Sequence, residues 1–120
     1  MTLFSKSIQE PAHPDDGIRI CIMRKPGQNT DWHIWMPILA PPLSLHKDYQ
    51  SGVKNWAEYV PIFNEEVIKG QRDQLKLLVH MAKFTPITVL CWEETPEYCH
   101  RRLIAEEAKL IDPTLAVVIR

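Results

Sequence analysis

The chain has 120 residues, 45% hydrophobic and 24% charged, and its fourteen Lys and Arg against fifteen Asp and Glu give a net charge of -1. That ordinary globular mix excludes collagenous, coiled-coil and disordered chains, and near-neutrality excludes the long-range field that gathers nucleic acid or anionic membrane, so no nucleic-acid partner is expected. No apolar stretch approaches the roughly 20 residues that span a bilayer, Glu10, Asp15, Asp16 and Arg19 break up any secretory core, and Cys21, Cys91 and Cys99 form no disulfide framework; a cytoplasmic protein with reduced thiols and no membrane partner is expected.

Taken in order, the chain predicts a short edge strand over Leu3 to Ile8, then an irregular connection through Pro11, Pro14 and the Asp15-Asp16-Gly17 turn. Ile18, Ile20 and Ile22 alternate with Arg19, Cys21 and Met23, which predicts a strand from Ile18 to Arg24 ended by Pro26-Gly27. Asp31 to Leu45 is aromatic and proline-rich and cannot be one long helix. Trp56, Tyr59, Val60, Phe63 and Val67 recur at helical spacing with a fault at Pro61, and Leu75, Leu78, Val79 and Ala82 define a helix from about Gln71 to Lys83. Ile87 to Trp92 is β-branched and predicts the central strand. Thr95 as N-cap and Pro96 at the first helical position predict a helix to Ile111, which Asp112-Pro113 stops, and Leu115 to Ile119 is a last apolar strand. The alternation gives a single α/β domain over residues 1–120, with a small, mainly parallel sheet and crossover helices packed on it.

In such a sheet the site lies beyond the carboxyl ends of the strands, where helix amino-termini also point. Arg24 and Glu93 close the two core strands, Cys91 precedes Glu93 on the same face, and Cys99 and His100 fall on the inward half of the last helix with Arg101 at its edge. These residues predict a pocket in which Cys99, Glu93 and His100 are the candidate catalytic groups and Arg24, Cys91 and Arg101 the ligand-binding ones. A helix amino-terminus and nearby His or Arg lower a thiol pKa, so Cys99 is read as a reactive thiol or as a small core residue. Glu93 is read as a general acid or base, or as the partner of Arg101 or Arg24. Cys91, Glu93, Cys99 and His100 hold four atoms that zinc accepts, but with neither CxxC nor HxxxH present no metal and no cofactor is expected. Trp32, Trp35, Trp56 and Trp92 could present a stacking platform for bases, but without a basic excess they read as core and rim packing; His13, His33, His46 and His80 read as surface or structural.

The segments Asp16-Gly17-Ile18-Arg19, Arg24, Leu39-Ala40-Pro41, Leu45, Trp56, Tyr59 and Leu90-Cys91-x-Glu93-x-x-Pro96-x-Tyr98-Cys99-His100-Arg101 resemble the domain-of-unknown-function family numbered 488, in the same order from about Ile8 to Ile119. The resemblance implies a compact α/β domain with its motif residues between a strand end and a helix start, and brings no established reaction. It departs after Arg24, where Lys25-Pro26-Gly27 replaces a Trp-Pro-Arg-Gly run, and at Pro42, where a serine is common. Two functions are open. One is an enzyme or ligand-binding domain for an anionic small molecule or nucleotide, with an oxyanion at the helix start beside Arg101. The other is a noncatalytic interaction module in which the Cys, Glu, His and Arg cluster is a buried structural network.

Overall fold

A computed structural model, describing all 120 residues, carries five parallel strands and four α-helices, an α/β fold. The strands are β1 (Thr2–Ser7), β2 (Ile18–Cys21), β3 (Ile34–Trp35), β4 (Ile87–Cys91) and β5 (Ala116–Ile119), in the order β3-β2-β4-β1-β5. The helices are α1 (Leu43–Gln50), α2 (Trp56–Phe63), α3 (Arg72–Ala82) and α4 (His100–Ile111). No helix is long and apolar enough to cross a membrane.

β4 is buried along its whole length and pairs with β1 and β2, the central place its β-branched residues predict. β1 is not the predicted edge strand. It lies between β4 and β5, and its polar residues, which suggest a solvated flank, are buried: Ser5, Ser7 and Lys6 all lie inside. β2 is shorter than its alternation predicts, because its ladder stops at Cys21 apart from one bond from Ile22 N to Leu90 O, so Arg24 lies three residues beyond the strand.

The two faces of the sheet are covered differently, and connectivity supplies the reason. Right-handed crossovers that run in opposite directions across a sheet fall on opposite faces. Those running one way, β3 to β4 and β4 to β5, carry all four helices; those running the other way, β1 to β2 and β2 to β3, are loops. Leu3, Ile20, Ile87 and Val89 accordingly pack under Phe63, Leu75, Leu78 and Ile104 on the helical face. Cys21 and Leu90 face the other way, beneath Ile8, Met23 and Trp32. The loop face is pinned by a buried ionic trio: Lys6 Nζ and Arg19 Nη1 both donate to the Asp16 carboxylate, which also accepts from His13 N. Gly17, at φ +64°, closes this turn where a Cβ would meet the Pro86 carbonyl oxygen at 2.0 Å.

An Asn55–Glu58 capping box starts α2. Pro61 lies inside α2, which runs on past it to Phe63 and passes directly into a π-helical segment, Asn64–Lys69. The last helix starts later than predicted. Thr95 does not cap it: Cys99 is the N-cap, and residues 92–98 form an irregular loop held by Arg102, which donates to Pro96 O and Glu97 O. Glu107, on the inner half of α4, pairs with Arg72 of α3.

Candidate functional site

After β2 the chain moves toward one edge of the sheet and after β4 toward the other, so the switch point falls between these two adjacent strands, at their carboxyl ends. Cys91 is the last residue of β4, and the loop that follows it brings Cys99 and His100 back over the same strand end. Cys91, Cys99 and His100 are all buried.

Their polar atoms converge. Cys91 Sγ lies 3.4 Å from His100 Nδ1, and His100 Nε2 lies 2.7 Å from the Ile22 carbonyl oxygen, a contact in which the ring N–H donates and which fixes the imidazole over the strand end. Cys99 Sγ lies 3.1 Å from Glu93 Oε2, close enough for a hydrogen bond between thiol and carboxylate. The neighbouring Cys91 thiol holds the Cys99 thiol well below its ordinary value against the opposing effect of burial, with smaller help from His100 and the Arg101 backbone N–H. Burial, and then the Cys99 sulfur, push the Cys91 thiol well up. Loss of solvent around its carboxyl, and then Cys99, push Glu93 up. Burial opposes ionisation of His100, but its interaction with Cys99 prevails and its pKa rises. The four directions favour a thiolate at Cys99 beside a neutral thiol at Cys91, with Glu93 and His100 each holding a proton more tightly than they would in water.

Above this floor opens a cavity of about 590 Å³, within the range of small-molecule sites. One wall is aromatic. Trp56 stacks on Tyr59 with ring centroids 4.9 Å apart, Tyr98 stands edge-on to Trp56 at 5.9 Å, and Tyr49 leans on Tyr59 at 5.1 Å. Arg24 and Lys25 bring positive charge to the lining, and His46 lies in it too, its pKa lowered by burial and then by His100 and Arg24. Arg24 donates through Nε and Nη2 to Pro41 O, which leaves Nη1 uncommitted. The Leu-Ala-Pro segment thus sets the direction of Arg24.

Of the six residues singled out from sequence, Arg24, Cys91, Glu93, Cys99 and His100 line one cavity and Arg101 does not. Arg101 is fully buried beneath it: Nη1 donates to Glu93 O, and Nε and Nη2 donate to Arg120 O. Glu93 therefore meets this arginine through its backbone carbonyl, not through its carboxylate as the partner reading had it; the carboxylate meets Cys99. The start of α4 faces the Cys99 sulfur. The sequence does not mark Lys25 or Tyr49 for the site and reads His46 as surface or structural; Trp56 and Tyr59 stand out in it as part of a helical stripe and of the family resemblance, not as a cavity wall. The spacing of Trp56, Tyr59 and Phe63 puts three rings on one side of α2 but does not tell which of them passes the edge of the core. Trp92 lines the cavity, whereas Trp35 donates to Met23 O outside it.

The Cys91, Cys99 and His100 donor atoms lie within 4.8 Å of one another, a set whose chemistry also suits a soft divalent cation. Zinc content therefore separates a thiol site from a metal site.

The model of one protein family, DUF488-N3a, described as the active DUF488-N3 subclade, matches residues 3–110. Neither curated proteins nor solved structures gave a match.

Proposed function

The chain belongs to the DUF488 family, in its N3 subclade, and on that premise we propose that it is an enzyme in which the Cys99 thiolate attacks an anionic, ring-bearing small molecule of the nucleotide class. The observation that carries this reading is the placement of Cys99 on the cavity floor, at the N-cap of α4, with a carboxyl group 3.1 Å from its sulfur. A nucleophilic thiol needs a lowered pKa, a partner that handles the proton and room for a substrate, and the three coincide here. The description of the subclade as active accords with it.

The residues divide the work. Trp56 and Tyr98 offer faces and edges to a planar ring. Arg24 and Lys25 supply the charge that meets an anionic group, with His46 beside them as a hydrogen-bonding imidazole. The Cys99 sulfur attacks an electrophilic carbon; as the new bond forms, the bond to the leaving group breaks and the departing atom takes the Glu93 proton. Water then attacks the same carbon, gives its proton to the Glu93 carboxylate and restores the thiolate, so the acid and the nucleophile are both regenerated. His100, held by Ile22 O, stabilises the thiolate as a cation. Arg101 is a positioning residue that fixes the Glu93 backbone.

The second reading, an interaction module built on a structural network, is favoured by the complete burial of Arg101 and by the bond from His100 to Ile22 O. The test is a panel of the four common nucleoside monophosphates against inorganic phosphate and the free nucleosides, scored by melting temperature. At least one monophosphate should stabilise the protein more than phosphate or its own nucleoside, and Trp56→Leu and Lys25→Ala should each reduce the effect. No stabilisation by any member of the panel would overturn the substrate class.

A further inference from the structure

Cys91 has so far served only to lower the Cys99 pKa, yet the two sulfurs are within 4.8 Å of each other. We propose that Cys99 and Cys91 form a reversible disulfide when a hydroperoxide enters the cavity, and that this bond switches the site off. The inference rests on the reading of Cys99 as the nucleophile of the site.

The positions of the two thiols suit this. Cys91 ends the central strand, in register with Ser7 of β1 and with its carbonyl accepting from Ile8 N. Cys99 closes an irregular loop of residues 92–98, so the approach needed for a sulfur–sulfur bond falls on the segment with the fewest ladder constraints. The Cys99 sulfur lines the cavity, which admits a small oxidant although the residue is only 1% exposed. Cys21 provides an internal control. It lies on the loop face of the sheet, packed against Ile8 and Leu90, and burial pushes its thiol up.

The chemistry balances. The Cys99 thiolate attacks the distal oxygen of the hydroperoxide; the O–O bond breaks, and the departing alkoxide takes the Glu93 proton and leaves as an alcohol, or as water from hydrogen peroxide. This leaves a sulfenic acid at Cys99 and a carboxylate at Glu93. The Cys91 sulfur then attacks the sulfenyl sulfur, the S–O bond breaks, and the hydroxyl leaves as water with the Cys91 proton. Two thiols lose two electrons and the peroxide gains them. A small reductant thiol reverses the change by exchange.

The experiment exposes the full chain to near-stoichiometric hydrogen peroxide and reads the mass of the tryptic peptide spanning residues 84–101, which holds both cysteines. The expected result is loss of two hydrogens from that peptide. Cleavage after glutamate should leave its two halves joined until dithiothreitol is added, and Cys21→Ala should behave like wild type. In Cys91→Ser no crosslink should form, and dimedone should capture the sulfenic acid at Cys99. A crosslink through Cys21 or between two chains, or an unchanged peptide, would overturn the proposal. Iodoacetamide labelling of Cys99 in the reduced protein separates the two failures: labelling without a disulfide sinks the switch alone, and neither labelling nor a disulfide sinks the nucleophile reading as well.

Discussion

Replacing Cys91 with alanine should change the pH dependence of Cys99 reactivity more than its overall rate. An ordinary thiol, with a pKa of 9.0, is thiolate in about one molecule in a thousand at three units below that value, and its alkylation slows about tenfold for each pH unit. Cys99 is held well below that range, chiefly by the neighbouring Cys91 thiol, so its alkylation by iodoacetamide should be nearly flat from about pH 8 to about pH 6. Absolute speed is a poor diagnostic: intrinsic nucleophilicity falls about threefold per unit of pKa lost, which cancels or outweighs the gain in thiolate fraction across this pH range. The slope is the diagnostic. Cys91→Ala removes the largest cause of the depression, and the profile should acquire a fall toward acid pH, with His100 and the start of α4 keeping it shallower than that of a free thiol. The assay is timed quenching followed by fragmentation of the 84–101 peptide to place the label. A tenfold loss per pH unit in wild type, or an identical profile in Cys91→Ala, would refute the account of Cys99.

Arg101→Met removes a buried guanidinium that holds two backbone carbonyls, and should destabilise by about 3–5 kcal/mol, lowering the melting temperature by roughly 10–20 °C; a loss near zero would show that these bonds do not anchor the loop. Cys99→Ser, by contrast, should abolish labelling while moving the melting temperature by no more than about 4 °C, and a larger drop favours the structural network. Burial would raise the Asp16 pKa, but the His13 N–H and then Lys6 and Arg19 lower it below 3.8. A depressed carboxyl contributes stability that is present above its unfolded value and lost as pH falls through the lower folded one. Acid unfolding of wild type should show that loss, and Asp16→Asn, less stable at neutral pH, should show a flatter acid limb; parallel limbs would refute the linkage. Purified protein should carry less than about a tenth of an equivalent of zinc, whereas stoichiometric zinc released by Cys91→Ala would replace the thiol site with a metal site.

The strand and helix alternation was legible because β4 is a short β-branched run and α3 carries a helical period over an uninterrupted stretch, and the parallel sheet follows from their order. The place of β1 was not. Ser5, Lys6 and Ser7 read as a polar flank, and only the distant Asp16 neutralises Lys6 inside the protein. The start of α4 was missed because Thr95-Pro96 is a sound local signal that Arg102 overrides by holding Pro96 O and Glu97 O in an irregular loop. The floor of the site could be read from sequence because Cys91, Glu93, Cys99 and His100 lie within ten residues. Its walls could not, since Tyr49, Trp56 and His46 approach the floor only when α1 and α2 fold across the sheet, and nothing in their spacing marks them as facing an opening.

That difference in origin between floor and walls bears on how such a protein could change its ligand. The floor is tied to the end of the central strand and to a carbonyl of the neighbouring chain segment, so altering it would disturb the sheet. The walls hang on two short helices and a loop outside the sheet, and can be rewritten one side chain at a time. New specificities, whether selected in nature or in the laboratory, should therefore arise at positions 25, 46, 49 and 56, with the reacting group left as it is.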